Sequence, residues 1–176
     1  MCGACGAVAG DWATPLVSGM RRRRRIASLA TALTSGLRIA PAAQGWTVQR
    51  STGGMLVAST LDALAAAAAP RLRYDTWESL TGAITDSGSD CSRTAPDSGA
   101  EQHGDYRPPP APVPVAGAPP RVVLTGCGPL HVRLTAFVFA VRGFERGSVA
   151  LEAADRAAPF RLLADGGLVL GRAPMV

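Results

Sequence analysis

The chain has 176 residues, 47% of them hydrophobic, and a formal charge of +5 at pH 7. That is enough apolar material for one ordinary domain or two small lobes. Four sparse cysteines, at positions 2, 5, 91 and 127, exclude a dense disulfide scaffold and make a reducing cytoplasm the expected compartment. No apolar run approaches the roughly 18–20 residues of a membrane helix, so no membrane span is expected.

The charge is unevenly distributed. Residues 1–80 hold nine arginines and four acids, residues 81–118 two and five, and residues 119–176 seven and four. All 18 basic residues are arginine, and asparagine is absent. With Ala, Gly and Pro abundant, this is the bias of a GC-rich coding sequence, and it lowers the information carried by any single arginine. A positive balance attracts nucleic acid, acidic proteins or anionic surfaces without choosing among them.

In chain order, the first six residues, Met1-Cys2-Gly3-Ala4-Cys5-Gly6, place two thiols at a spacing that directs both at one metal ion. Residues 7–19 read as a loop folding back through Trp12, Leu16 and Val17. A helix is predicted from about Ser18, with Ile26, Leu29 and Leu33 on its apolar side and Arg21–Arg25 in its first turns. Five positive charges there oppose the positive end of the helix dipole and repel one another. Arg21, Arg22, Arg23, Arg24 and Arg25 are therefore the candidate contacts to an anionic partner, either phosphates of nucleic acid or an acidic protein surface. A solvated basic surface is the plain alternative. Gly36 is expected to stop the helix.

Three strands follow, Leu37–Ala40, Trp46–Gln49 and Met55–Ala58, the last two joined through Gly53-Gly54. Alternation sets Trp46 and Val48 on one face and Thr47 and Gln49 on the other. Ser59 with Asp62 suggests a capping box, opening a helix that buries Leu61, Leu64, Ala65 and Ala68 and ends at Pro70. A second helix is expected over about Arg71 to Ile84, with Trp77, Leu80 and Ile84 on one side.

Residues 85–120, rich in Ser, Asp, Gly and Pro, predict a flexible linker with polyproline character. Beyond it, Arg121–Leu124, Val132–Val141, Ser148–Leu151, Phe160–Leu163 and Gly167–Leu170 read as strands of a small antiparallel sheet, broken at glycines and prolines. The expected class is α+β. An N-terminal amphipathic helix, a small antiparallel sheet and following helices occupy residues 1–84, and a linker then leads to a β-rich extension or second lobe at 121–176.

The sharpest chemical suggestion joins Cys2 and Cys5 to Cys127 and His131 in a Cys3His zinc shell. Four protein ligands leave no open coordination position, so such a site is structural. The pair Cys127/His131 carries less information than the CxxC, because a zinc ribbon supplies a second close cysteine pair and this chain has none. No complete phosphate loop or nucleophile motif is present. The expectation is a non-enzymatic binding or accessory protein with zinc as cofactor and a basic helix as contact surface. The alternative is a small thiol-redox or metal-dependent enzyme using the CxxC. A second alternative concerns location: from Met20, a basic start followed by a moderately apolar stretch imitates an export signal, and translation beginning there would send the protein out of the cell.

Overall fold

A computed structural model of the chain describes residues 12–87, 119–122, 124, 129–154 and 159–173. The CxxC segment, Cys91, Cys127 and most of the predicted linker lie outside them. The fold is α+β, as the sequence implies. A single turn α1 (Thr14–Val17) precedes helix α2 (Met20–Leu33), and then come strands β1 (Leu37–Ala42), β2 (Gly45–Arg50) and β3 (Met55–Ala58). Helices α3 (Leu61–Ala68) and α4 (Trp77–Ser87) follow, separated by a 3-10 turn at Ala69–Arg71. The C-terminal half comprises β4 (Arg121–Val122), α5 (Leu130–Gly143), β5 (Val149–Ala154), β6 (Pro159–Asp165) and β7 (Leu168–Ala173).

The two halves share a plan. In each, a 14-residue helix leads into three strands paired antiparallel in chain order: α2 into β1-β2-β3, and α5 into β5-β6-β7. The second sheet gains β4, which runs parallel to β5 through Arg121↔Ala150 and Val122↔Leu151, so this sheet is mixed rather than purely antiparallel.

Several local readings hold. Trp46 and Val48 are buried while Gln49 is exposed. Leu61, Leu64, Ala65 and Ala68 face the core, and Pro70 falls in the 3-10 turn where α3 ends. Others shift for identifiable reasons. The cap of α3 is Thr60 and not Ser59: Thr60 has the extended backbone of an N-cap, and its Oγ1 accepts from the Ala63 N–H at 3.0 Å. Asp62 is left to bind elsewhere. Helix α2 stops at Leu33, ahead of Gly36, with Thr34 extended at its C-cap and the Thr34 hydroxyl donating back to the Ala30 carbonyl at 2.7 Å. Helix α4 begins only at Trp77. Residues 71–73 are occupied in joining α2's end: the Arg73 N–H donates to the Leu33 carbonyl and the Ser35 N–H to the Arg71 carbonyl.

The main correction is at Val132–Val141, which is the body of helix α5 and not a strand. His131 and every residue from Leu134 to Val141 are buried. A helix buried nearly all round shows no polar stripe, and its Val and Phe residues imitate strand composition. The uninterrupted run from Leu130 to Arg142 is nonetheless too long for a typical strand. Pro129 at the N-cap and Gly143 at the last position punctuate it as a helix.

Burial of α5 joins the halves. Val138 and Phe139 enter a cluster with Ile26, Trp46, Val48 and Leu64, whereas Leu134, Phe137 and Val141 enter a second with Leu29, Leu33, Leu80 and Leu162. Trp77 stacks on Phe137 with centroids 5.8 Å apart and meets Phe144 edge-on at 5.5 Å, while its indole N–H donates to Glu145 Oε2 at 3.0 Å. Across the same junction Arg142 makes a bidentate pair with Asp62, Nε to Oδ1 at 3.0 Å and Nη2 to Oδ2. Asp62 is partly exposed, so this pair contributes no more than about 1 kcal/mol.

Two substitutions test this packing by chemical denaturation. Phe137→Ala removes a fully buried ring from the helix that both clusters share, and a loss of about 3–5 kcal/mol is expected. Gly45→Ala acts on the backbone. Gly45 has φ +100°, and a Cβ there would stand 2.1 Å from the Ala58 carbonyl oxygen, so strain alone should cost about 1–3 kcal/mol. Wild-type stability in either variant would show that the β1–β2 turn or the α5 packing is misplaced.

Candidate functional site

The predicted basic segment forms the first turns of α2. The helix starts without help: Gly19 at the N-cap has φ 95° and offers no side-chain cap, and the first turn contains no acid. Its five arginines divide by direction. Ile26, Ala27, Leu29, Ala30 and Leu33 define the buried side. At 100° per residue, Arg21, Arg24 and Arg25 fall opposite it, in line with Ser28 and Ala32, and all five are exposed.

Arg22 and Arg23 continue the buried side toward the N-terminus, Arg22 in line with Ile26 and Leu29 and Arg23 with Ala27 and Ala30; both are half-buried and turn back onto the protein. Arg23 Nη1 donates to the Ala42 carbonyl at 3.3 Å and also to that of Ala43. The Trp46 indole N–H donates to the Arg23 carbonyl at 3.0 Å. Arg23 is thereby held at both its backbone and its guanidinium, fastening the start of α2 to the β1–β2 turn. Arg22 reaches the Leu16 carbonyl at 3.5 Å, a long contact that ties α2 to α1. The surface available to a partner is thus an i, i+3, i+4 triplet of three guanidinium groups.

Beside Arg23 lies a recess of about 180 Å³ lined by Thr14, Val17, Ser18, Gln44, Gly45, Trp46 and Ser59. It falls below the roughly 300 Å³ at which ligand pockets begin, and its lining has no acid, imidazole or thiol.

Of the four candidate zinc ligands, His131 alone is among the described residues. It occupies the first turn of α5 and is 5% exposed, with its backbone carbonyl accepting from the Thr135 hydroxyl at 2.7 Å. Cys2, Cys5 and Cys127 lie outside those residues. Among the described residues, no group of three or more His, Cys, Asp or Glu side chains is placed to hold a metal ion. No helix among them is long and apolar enough to cross a membrane.

Two further polar constellations escape a reading of the sequence. One is the Asp62–Arg142 pair, whose partners are separated by 80 positions, and no local pattern connects them. The other spans three strands: Glu152 Oε1 accepts from Arg161 Nη2 at 2.7 Å and Arg121 Nε at 3.3 Å. The alternation of Glu152 and Arg161 along their strands is a usable signal for it, given the Glu152↔Arg161 register.

The chain matches no protein-family model, no curated protein and no solved structure.

The division of the arginines has a measurable consequence. Arg23→Ala should lower unfolding free energy by about 1–2 kcal/mol, since it removes charge-assisted hydrogen bonds to two carbonyls. Arg24→Ala should change it by less than about 0.5 kcal/mol. Equal effects in urea titrations would contradict the role of Arg23 as a brace between α2 and the β1–β2 turn.

Proposed function

We propose that this protein is a non-enzymatic binding or accessory protein that engages an anionic partner through the outer face of α2. The observation carrying this reading is the alignment of Arg21, Arg24 and Arg25 on the solvent side of a helix whose first turn has no acid. Guanidinium groups present planar forks of donors that match phosphate and carboxylate oxygens. An anion lying along the first turn also meets the unsatisfied N–H groups and the positive end of the helix dipole. Repulsion among the three like charges is relieved at the same time.

Nucleic acid bound through its phosphates is the favoured partner, and an acidic protein surface is the other. Phosphate contact supplies affinity without base reading. Structural zinc on Cys2, Cys5, Cys127 and His131 belongs to the same proposal. Its support is the CxxC spacing and the nearness in sequence of Cys127 to the buried start of α5. Zinc there would anchor the chain's beginning to the helix that joins the two sheets.

Titration with a labelled DNA duplex at several salt concentrations tests the basic face. The expected result is binding that weakens steeply with salt. In Arg21→Ala/Arg24→Ala/Arg25→Ala, the slope of log K against log salt should fall in magnitude by about 2–3, close to 0.9 for each phosphate no longer neutralised. An unchanged slope would remove the helix face from the interface, and preference for polyglutamate over DNA would reassign the partner to acidic protein.

Metal analysis tests the second part. About one zinc per chain is expected, lost together with thermal stability in Cys2→Ser/Cys5→Ser. Purified protein that folds without metal in reducing, zinc-supplemented buffer would end the zinc proposal.

A further inference from the structure

Strand β3 ends the first sheet, whose order is β1-β2-β3, so one of its edges has no neighbouring strand among the described residues. Edges of this kind are ordinarily blunted by charge, proline or a bulge. Here Met55, Leu56 and Val57 are 71%, 51% and 60% exposed. Their register with β2 places them on both faces. Leu56 stands opposite buried Val48 on the inner face, and Met55 and Val57 stand opposite Gln49 and Thr47 on the outer face. A helix docking on one face would leave the other uncovered. Only an element lying in the plane of the sheet, another strand, covers both.

The backbone is set for that addition. One step beyond the Gln49↔Met55 pair, the Arg50 N–H donates to the Gly54 carbonyl at 2.8 Å. Hydrogen-bonded and non-hydrogen-bonded pairs alternate along an antiparallel ladder. Val48 and Leu56 therefore form a bonded pair, while Met55 and Val57 direct their N–H and C=O groups away from β2, toward the open edge.

We propose that the occupant of this edge is β3 of a second copy of the chain, paired antiparallel about a two-fold axis at Leu56. In this register each Met55 exchanges both backbone hydrogen bonds with Val57 of the second copy, and Leu56 meets its own counterpart as a non-bonded pair. Inner-face residues then meet inner-face residues. A shift of one residue would set Leu56 against Val57 on opposite faces, which antiparallel pairing forbids.

Charge favours self-pairing over a foreign peptide. Like charges directly opposite one another are destabilising, and in homotypic pairing a strand meets its own charges. The stretch Ser51–Leu61 contains none, so β3 meets its copy without repulsion and offers no charge by which to select an acidic or basic partner. The product is a continuous sheet ordered β1-β2-β3-β3-β2-β1, closed by an isologous contact. This inference does not depend on the arginine face of α2.

Sedimentation velocity of the full chain from about 1 to 200 µM, where a small interface associates, tests the proposal. The parent should pass from monomer to dimer and stop there. Met55→Glu/Val57→Lys sets opposite charges across the axis and should still dimerise. Met55→Lys/Val57→Lys sets like charges there and should weaken association at least about tenfold. Hydrogen exchange on the parent gives a second reading independent of any variant: the Met55 and Val57 amides should gain protection with concentration, and the Leu56 amide should be protected throughout. A parent that stays monomeric, growth beyond the dimer, equal behaviour of the two double variants, or Met55 and Val57 amides indifferent to concentration would each overturn it.

Discussion

Burial of α5 is the constraint on which the remaining structure depends. A helix with apolar residues on almost every side has to be covered on almost every side, and neither sheet alone covers it. Val138 and Phe139 point to the cluster built on the first sheet, and Leu134, Phe137 and Val141 to the one built on the second. Helix α2 divides itself in the same way, Ile26 and Ala30 to one cluster and Leu29 and Leu33 to the other. The regular hydrogen bonding of a helix satisfies its own backbone polar groups, which is why this central position holds a helix and not an edge of sheet.

Polar contacts sit at the margins of that packing and set its geometry more than its depth. The Asp62–Arg142 pair and the Trp77–Glu145 hydrogen bond both join the first half to the end of α5. Each is partly solvated, so its contribution is small beside the burial of one aromatic ring. Their role is directional, since a bidentate pair and an indole N–H accept few alternative alignments. Arg23 does the same for α2, converting one member of a charged run into a brace between helix and turn.

Much of the first half is legible in the sequence because its periods are clean. Trp46 and Val48 alternate with polar neighbours, Leu61, Leu64 and Ala68 recur at helical spacing, and Gly53 with φ +92° occupies the turn where a glycine is expected. The second half conceals its central element because full burial erases the polar stripe that marks a helix. Length and the Pro129/Gly143 punctuation are the remaining signals there. Strand β3 is legible as a strand, but the exposure of Met55, Leu56 and Val57, with only Ala58 buried, depends on its place at the edge of the sheet. The arginine run is plainly basic, and its helical phase already separates Arg22 and Arg23 from Arg21, Arg24 and Arg25; which carbonyls Arg23 meets depends on where β1 and β2 turn, which no local pattern encodes. Cys2, Cys5 and Cys127 stand outside the described residues, so the metal shell rests on spacing alone.

The repeated helix-and-meander plan has a kinetic corollary. Each meander joins strands that are neighbours in the chain, so closing its loops costs little entropy and both can form early. On the same reasoning, the contacts expected to form late are those that bring α5 against α2, α3 and α4 across the stretch between positions 87 and 119. Mutations that loosen this docking would chiefly accelerate opening of the folded protein, whereas mutations within either hairpin would chiefly retard its assembly.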